Sequence, residues 1–427
     1  MTASPPEVVV VAASILHPAT DTLMGFDALL RRGRSALSPT ALEPKGSTTV
    51  PAALLHAVEA KQWAANRTWL DPDEVRRLLR VTARATLPVW TACCTALETV
   101  TSAALTPAER RRTAVVIAGN NLALAQHART AVAYAETPET TPAGHLLDCF
   151  DTDALGAVGE VTGCTGEGWQ IGGSSAAGTL ALIHADRLIR SGSAERCLVV
   201  APVTDLAATD IGAFLRSGAM ARLAAGQNAA QACRPFDIGR RGFAPAHAAA
   251  ALLLEAEGQS TRRRKSLCWV LGQGVTTDGR RGTGPDPDGQ AAAMATALER
   301  ARLPSTAVDY VNAHATGSVA GDSSEATAIH RVLGGSANGP TVNATKAVTG
   351  HGLASAGLVE AIATLLQLRG GYCHATPNLT RPLEPTLRHV IGAARIAPVR
   401  VAISNSFAFG GLNASVVLAS TPRSELP

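Results

Sequence analysis

The side chains of this chain best suited to chemistry gather in its last third, in three strings that each follow a strand-like apolar run. The first is Val311-Asn312-Ala313-His314-Ala315-Thr316-Gly317-Ser318, continued by Gly321-Asp322 and Glu325. The second is Asn343-Ala344-Thr345-Lys346-Ala347-Val348-Thr349-Gly350-His351, which opens onto a helical stretch holding Glu360. The third is Ser404-Asn405-Ser406-Phe407-Ala408-Phe409-Gly410-Gly411-Leu412-Asn413. An imidazole can move a proton or donate an N–H to a developing oxyanion, and a lysine and a carboxylate behind it can set its charge and orientation. A lone histidine is usually structural, so the weight rests on the set. Its position fits chemistry, because ligands of open α/β sheets bind beyond the carboxyl ends of the strands.

The elements that must hold these strings are legible as short apolar runs alternating with helical periods, the pattern of an α/β protein with sheets packed between helices. Val8 to Ala12 and Thr113 to Ala118 read as buried strands. A helix is expected from Asp21, as its N-cap, to Arg32, with Gly33 as the stop. A second set follows: strand Leu267 to Leu271, helix Gln290 to Arg302, strand Val308 to Ala313, helix Ser323 to Leu333. The order repeats although no sequence repeat is evident, so a duplicated fold is expected, with residues 1–257 as one half and 258–427 as the other. The join falls in the polar stretch Gly258 to Lys265. Residues 137–145 and 276–289, rich in Pro, Gly, Thr and Asp, are loops able to cover a site.

Composition excludes several classes. With 46% hydrophobic and 17% charged residues in 427, the chain is far from the disordered regime. A net charge of +4 is too small for a nucleic-acid groove, and the runs Arg110 to Arg112 and Arg262 to Lys265 read as solvated loops. Met1 to Pro6 lacks a basic leader and the apolar run after it is short, which points to the cytosol. Ala248 to Leu254 is a strand's worth of apolar residues, so no membrane span is expected. The eight cysteines show no metal-like spacing and read as reduced, mostly buried thiols, with Cys93 and Cys94 adjacent on a helix. No metal is expected.

The three strings resemble, in order, the β-ketoacyl synthase signatures AHGTGT…GD..E, TK…GH..GAAG..E and NSFGFGGTN. Arg234-Pro235-Phe236-Asp237 with Gly242-Phe243 is similar to the same family's RPFD…R.GF, which extends the resemblance over nearly the whole chain. The resemblance implies the duplicated thiolase-like fold, five layers α/β/α/β/α, assembled as a homodimer or as a heterodimer with another ketosynthase. It also implies an acyl carrier protein as partner, its phosphopantetheine arm arriving with the substrate and no cofactor of the enzyme's own. Gly163-Cys164-Thr165-Gly166 resembles the family's GL.GP step, and the family's catalytic cysteine lies nine residues beyond the second glycine. Here that residue is Ser175. Ala176-Ala177-Gly178 and the helix through Arg187 to Gly192 keep the family's shape around it. Ser175 is expected to open a helix, where unpaired amides stabilise negative charge; an ordinary serine N-cap would look the same. Cys164, in the preceding loop, is out of register for a displaced nucleophile.

By resemblance His314 and His351 donate to the thioester oxygen, Lys346 supports them electrostatically, and Glu360 orients the network. The amides of Phe409 and Ser175 correspond to the other oxyanion hole, with Ala408 and Gly410 in the gating loop, and Thr316 and Ser318 to the contacts with phosphopantetheine. Serine needs a general base where cysteine offers a thiolate, and its ester is less electrophilic than a thioester, so condensation should suffer. Acyl transfer through Ser175 and decarboxylation of a malonyl group both remain open. The rival from another class is a non-catalytic partner resembling a chain-length factor. Three departures bear on this. Ala246-His247-Ala248-Ala249-Ala250 replaces GEGAG, which implies remodelling near the core. In the gating loop Ala408 replaces a glycine and Leu412 a threonine, which should restrict the hinge. In the first signature Ala313-His314-Ala315-Thr316-Gly317-Ser318 replaces AHGTGT and keeps both hydroxyls.

Overall fold

A computed structural model describes residues 5–41, 49–55, 59–258, 264–335 and 338–426. Ten strands carry the architecture. β1 is Val8–Leu16, β2 Ala114–Ala118, β3 Gly168–Ile171, β4 Arg196–Ala201 and β5 Ala249–Ala256. β6 is Cys268–Thr277, β7 Tyr310–Asn312, β8 Thr341–Asn343, β9 Val401–Ala408 and β10 Leu412–Ala419. The first five lie in the order β3-β2-β4-β5-β1 and the second five in the order β8-β7-β9-β10-β6. Pairing repeats as well: in each set the fifth strand runs antiparallel to both neighbours and the other contacts are parallel. The duplication expected from element order is therefore one of topology, and the two sets touch where β1 pairs β6 over three residues, Val8 to Val10.

The layers follow from which face each residue buries. The helices α1 (Leu23–Arg32), α2 (Leu87–Ser102), α3 (Thr152–Thr162), α4 (Ala177–Arg190), α5 (Pro287–Ala301), α6 (Val319–Leu333) and α7 (Ala356–Gly370) supply the rest of the core. Alternate residues of β2 point opposite ways, as a pleated strand requires. Val116 packs with Leu182 of α4 and Leu358 of α7 in the central layer, whereas Val115 and Ile117 pack with Leu97 of α2 and Val158 of α3 outside. In the second half α5 and α6 cover the outer face through Met294, Ala297 and Ile329. Helix, sheet, helix, sheet, helix is the five-layer stack. It is an α/β protein throughout.

Within the central layer α4 and α7 are pressed together at their N-terminal ends by two glycines. A methyl group on Gly178 would stand 2.6 Å from the Leu358 nitrogen, and one on Gly357 2.6 Å from the Thr179 nitrogen. Only glycine permits that approach. A sequence echo of the duplication lies here, at one constant spacing: Gly173, Ala177, Gly178 and Arg190 recur as Gly352, Ala356, Gly357 and Arg369.

Several local expectations are corrected. Thr22, not Asp21, caps α1 by accepting from the Gly25 amide, because Asp21 is drawn 3.0 Å from the Arg67 guanidinium; Gly33 ends the helix in the left-handed region as expected. The basic runs are not uniformly solvated. The Arg264 side chain is buried between Glu109 (2.9 Å) and Glu255 (2.6 Å), which also holds Arg196 at 2.7 Å, and Arg110 pairs with Glu74 at 2.6 Å. Such clusters are worth most as a whole, since removing one member strands a buried charge at about 3–5 kcal/mol. Of the expected join, residues 259–263 lie outside the described residues. The cysteines described are free and buried. Among the described residues no helix is long and apolar enough to cross a membrane, and no group of three or more His, Cys, Asp or Glu could hold a metal ion.

Candidate active site

Ser175 lies in a short 3-10 turn, Ser174–Ala176, and α4 begins only at Ala177, so the serine precedes the helix instead of opening it. It does not serve as an N-cap. The backbone reaches it through Gly173 and through Ser174 at φ +49°, a left-handed conformation that costs about 1 kcal/mol and turns the next side chain inward. Leu353 at φ +54° makes the matching turn before α7. The two turns face each other across the Gly178–Gly357 contact.

From this arrangement the Ser175 hydroxyl oxygen comes 3.0 Å from His351 Nε2. The His351 backbone is clamped by the Ala246 region: its amide donates to the Ala244 carbonyl (2.7 Å) and its carbonyl accepts from the Ala246 amide (3.0 Å). The segment that departs from GEGAG thus borders the site, with the His247 ring accepting from the Leu55 amide at 3.1 Å. His351 Nδ1 accepts from the Leu353 amide at 3.3 Å. In a neutral imidazole one nitrogen is donor and the other acceptor, so this bond places the hydrogen on Nε2.

The second imidazole is fixed the same way. Lys346 Nζ lies 3.3 Å from His314 Nδ1, 2.7 Å from the His314 carbonyl and 2.5 Å from Glu360 Oε1. A lysine ammonium only donates, so His314 Nδ1 accepts and its hydrogen also sits on Nε2. The rings stand 5.7 Å apart, edge to face. Burial holds both imidazoles well below the ordinary histidine value, and the Lys346 charge pushes further the same way. Burial raises the Glu360 carboxyl to about 7 against the pull of Lys346. Around them Glu325 accepts from the His314 and Ala315 amides (2.8 and 2.7 Å), and Asp322 from the Phe236 and Gly317 amides (2.8 and 3.1 Å). These carboxylates thread the loop that carries His314.

A cavity of about 280 Å³ joins these groups. Ser175, His314, His351, Thr316, Ser318, Ala408 and Phe409 line it; Lys346 and Glu360 are buried behind His314, and Gly410 lies on an exposed turn outside the lining. Ser318 caps α6 by accepting from the Gly321 amide, and Thr316 accepts from the Ser318 amide, which leaves both hydroxyl hydrogens for a polar ligand arm. Of the expected loops, 276–289 contributes Asp278, Thr283 and Pro285. Sequence reasoning did not foresee Phe214, whose ring meets Phe243 edge to face (5.3 Å) and lies tilted against Phe409 (6.4 Å), nor the edge-to-face contact of Phe243 with His351 (5.2 Å). A single aromatic on an amphipathic helix gives no signal. The gating loop also differs from expectation: Ala408 pairs regularly with Leu412, and the left-handed turn falls on Gly410 and Gly411 (φ +86° and +73°), so the alanine sits outside the bend. Cys164 is buried away from the cavity, its thiol pushed up by desolvation.

A duplicated five-layer fold with a serine and two imidazoles converging below the central helices defines a thiolase-like protein. Comparison narrows the class. Residues 6–260 match the model "Beta-ketoacyl synthase, N-terminal domain" and residues 267–380 the corresponding C-terminal domain, so the chain belongs to the β-ketoacyl synthase family. It is 32% identical over 349 residues to the "Polyketide biosynthesis malonyl-ACP decarboxylase PksF" of Bacillus subtilis, covering 81% of this chain and 83% of that protein. It is 37% identical over 246 residues to "3-oxoacyl-[acyl-carrier-protein] synthase 2" of Mycobacterium leprae, covering 56% of this chain and 58% of that one. Among solved structures, "The ishigamide ketosynthase/chain length factor" superposes with a TM-score of 0.84 at 25% identity, over 98% of this chain and all of that one.

Proposed function

We propose that the protein decarboxylates a malonyl group presented as a thioester on the phosphopantetheine arm of an acyl carrier protein, in polyketide or fatty-acid assembly, without forming an acyl ester at Ser175. One observation carries this reading: both Nδ1 atoms already hold a donor, so the two neutral rings present N–H groups and neither presents a lone pair. Acyl transfer through a serine requires a base to take its proton. Decarboxylation requires donors at the oxygen where charge collects. The carbon–carbon bond to the carboxylate breaks, carbon dioxide leaves, and the electron pair passes into the thioester enolate, whose oxygen the His314 and His351 N–H groups receive.

The cavity wall favours the same step. Among its described lining residues none is lysine or arginine, and Phe214, Phe243 and Phe409 form one side. A malonyl carboxylate there has no cation to stabilise it, whereas neutral carbon dioxide is at no disadvantage. Lys346 and Glu360 act as positioning residues, Thr316 and Ser318 as contacts for the pantetheine arm. The likeness to a malonyl-ACP decarboxylase supports the reading. A partner role like that of a chain-length factor draws on the ishigamide superposition, but it uses neither imidazole.

The test is incubation of the purified protein with malonyl-loaded carrier, followed by intact masses of both. Carbon dioxide loss from the carrier with no mass on the enzyme is expected, and His314→Ala and His351→Ala should each slow it by about 10²–10³-fold. Acyl mass on the enzyme that disappears in Ser175→Ala would replace the reading with acyl transfer. A chain-extended carrier would mean condensation, and two unchanged masses the partner role.

A further inference from the structure

Decarboxylation leaves a carbanion equivalent that must gain a proton, and the two imidazole N–H groups are committed to the enolate oxygen. Ser175 is a cavity-lining hydroxyl in hydrogen-bond contact with one of these rings, that of His351. Its relation to His351 decides what it can do. Because His351 Nδ1 accepts from the Leu353 amide, Nε2 carries its hydrogen toward Ser175 Oγ at 3.0 Å, and an Nε2 in that state has no lone pair to receive a hydroxyl hydrogen. The serine oxygen is the acceptor in this bond. Its own O–H is left to point elsewhere, and Ser175 borders the cavity.

We propose that Ser175 is the proton donor to the enolate carbon, so that this residue finishes the decarboxylation instead of starting an acylation. The inference rests on the decarboxylase reading. As the enolate pair closes onto carbon, the new C–H bond forms at the expense of the Ser175 O–H bond. Once the enolate oxygen has become a neutral thioester carbonyl, the His351 N–H returns to Ser175 Oγ and holds the alkoxide, which takes a proton back from water at the cavity mouth. A hydroxyl is a stronger acid than the α-carbon of a thioester, so the transfer runs downhill.

Removing the donor lengthens the life of the enolate, and a long-lived enolate recaptures carbon dioxide. The experiment follows malonyl-carrier turnover under ¹³C-labelled carbon dioxide, by mass, for the native protein, Ser175→Ala and His351→Ala. The native protein is expected to form acetyl-carrier with no label in the remaining malonyl groups. Ser175→Ala should form acetyl-carrier on the order of 10²-fold more slowly and place ¹³C in the malonyl carboxylate, whereas His351→Ala should do neither quickly, since it makes less enolate. Acetyl formation by Ser175→Ala at the native rate would overturn the proposal, and so would slow formation without label, which would put the serine before bond cleavage. A native protein that leaves malonyl-carrier intact defeats the decarboxylase reading itself, a separate result.

Discussion

Ser175 Oγ receives the Nε2 hydrogen of His351 across 3.0 Å, and this direction of donation, opposite to that of a serine nucleophile and its base, organises the site. A thiolate in the serine's place would accept the same N–H.

The variant Ser175→Cys should therefore carry a thiol more acidic than the ordinary value of about 8.5, helped by the amides at the start of α4. Alkylation by iodoacetamide, mapped to the peptide holding position 175 and followed against pH, reads the midpoint directly. Background from the seven described thiols should be low, because burial pushes Cys93, Cys94, Cys164, Cys197, Cys233, Cys268 and Cys373 upward, and the peptide mapping separates any other site. A midpoint at or above the ordinary value would mean that His351 does not point its hydrogen at this position.

Lys346 and Glu360 form a buried pair 2.5 Å apart, and the lysine also fixes the His314 tautomer. Lys346→Met and Glu360→Gln should each cost about 3–5 kcal/mol by stranding a buried partner. The double variant should recover much of that stability, as judged by thermal unfolding. Activity should divide differently, because Glu360→Gln keeps the Lys346 donor for His314 and the double variant does not. A double variant that decarboxylates as fast as Glu360→Gln would reduce Lys346 to a structural role.

The ordered strings disclosed His314, Lys346, His351 and Glu360 because motif spacing survives where strands end at the same layer. Ser175 was reachable only by counting within those motifs. What stayed hidden depends on contacts between distant segments. Phe214 joins the cavity through packing on Phe243, His17 reaches Thr349 from the opposite half, and the tautomers rest on single backbone or ammonium donors. The duplication left few identities, among them the two glycines that let α4 and α7 touch. Arg110 and Arg264 read as surface charge because a sequence run does not show which members find buried carboxylates.

Gly178 and Gly357 set the distance between the helices that present Ser175 and the His351 turn. Gly178→Ala would press a methyl group against the Leu358 nitrogen and Ala354 carbonyl, both backbone, so the helices must part. A loss of about 1–3 kcal/mol is expected, with carbon dioxide release falling more than stability alone explains, since Ser175 and His351 separate. Gly192→Ala is the control: nothing stands within 4 Å of its added methyl, and only the φ of +78° is strained. Equal activity losses in the two variants would show that the helix contact does not position the site.

His17 extends the tautomer logic to the far half of the molecule. Its Nδ1 accepts from the Ala19 amide at 3.1 Å, so Nε2 donates to the Thr349 carbonyl at 3.0 Å, two residues before His351. Burial lowers its pKa to about 4 from 6.5. Above pH 6.5 neither the folded nor the unfolded state binds a proton there, so the group adds no pH dependence. Between 6.5 and 4 the unfolded chain protonates while the folded one resists, and stability falls by about 1.36 kcal/mol per pH unit. His17→Gln keeps an N–H for Thr349 but cannot titrate. Urea unfolding of both proteins at about pH 7 and pH 5 should therefore show the native chain losing about 2 kcal/mol more than the variant, with the other buried histidines cancelling in the difference. Parallel losses would mean that His17 takes up a proton inside the fold, and the brace on the His351 turn would then have to be a different bond.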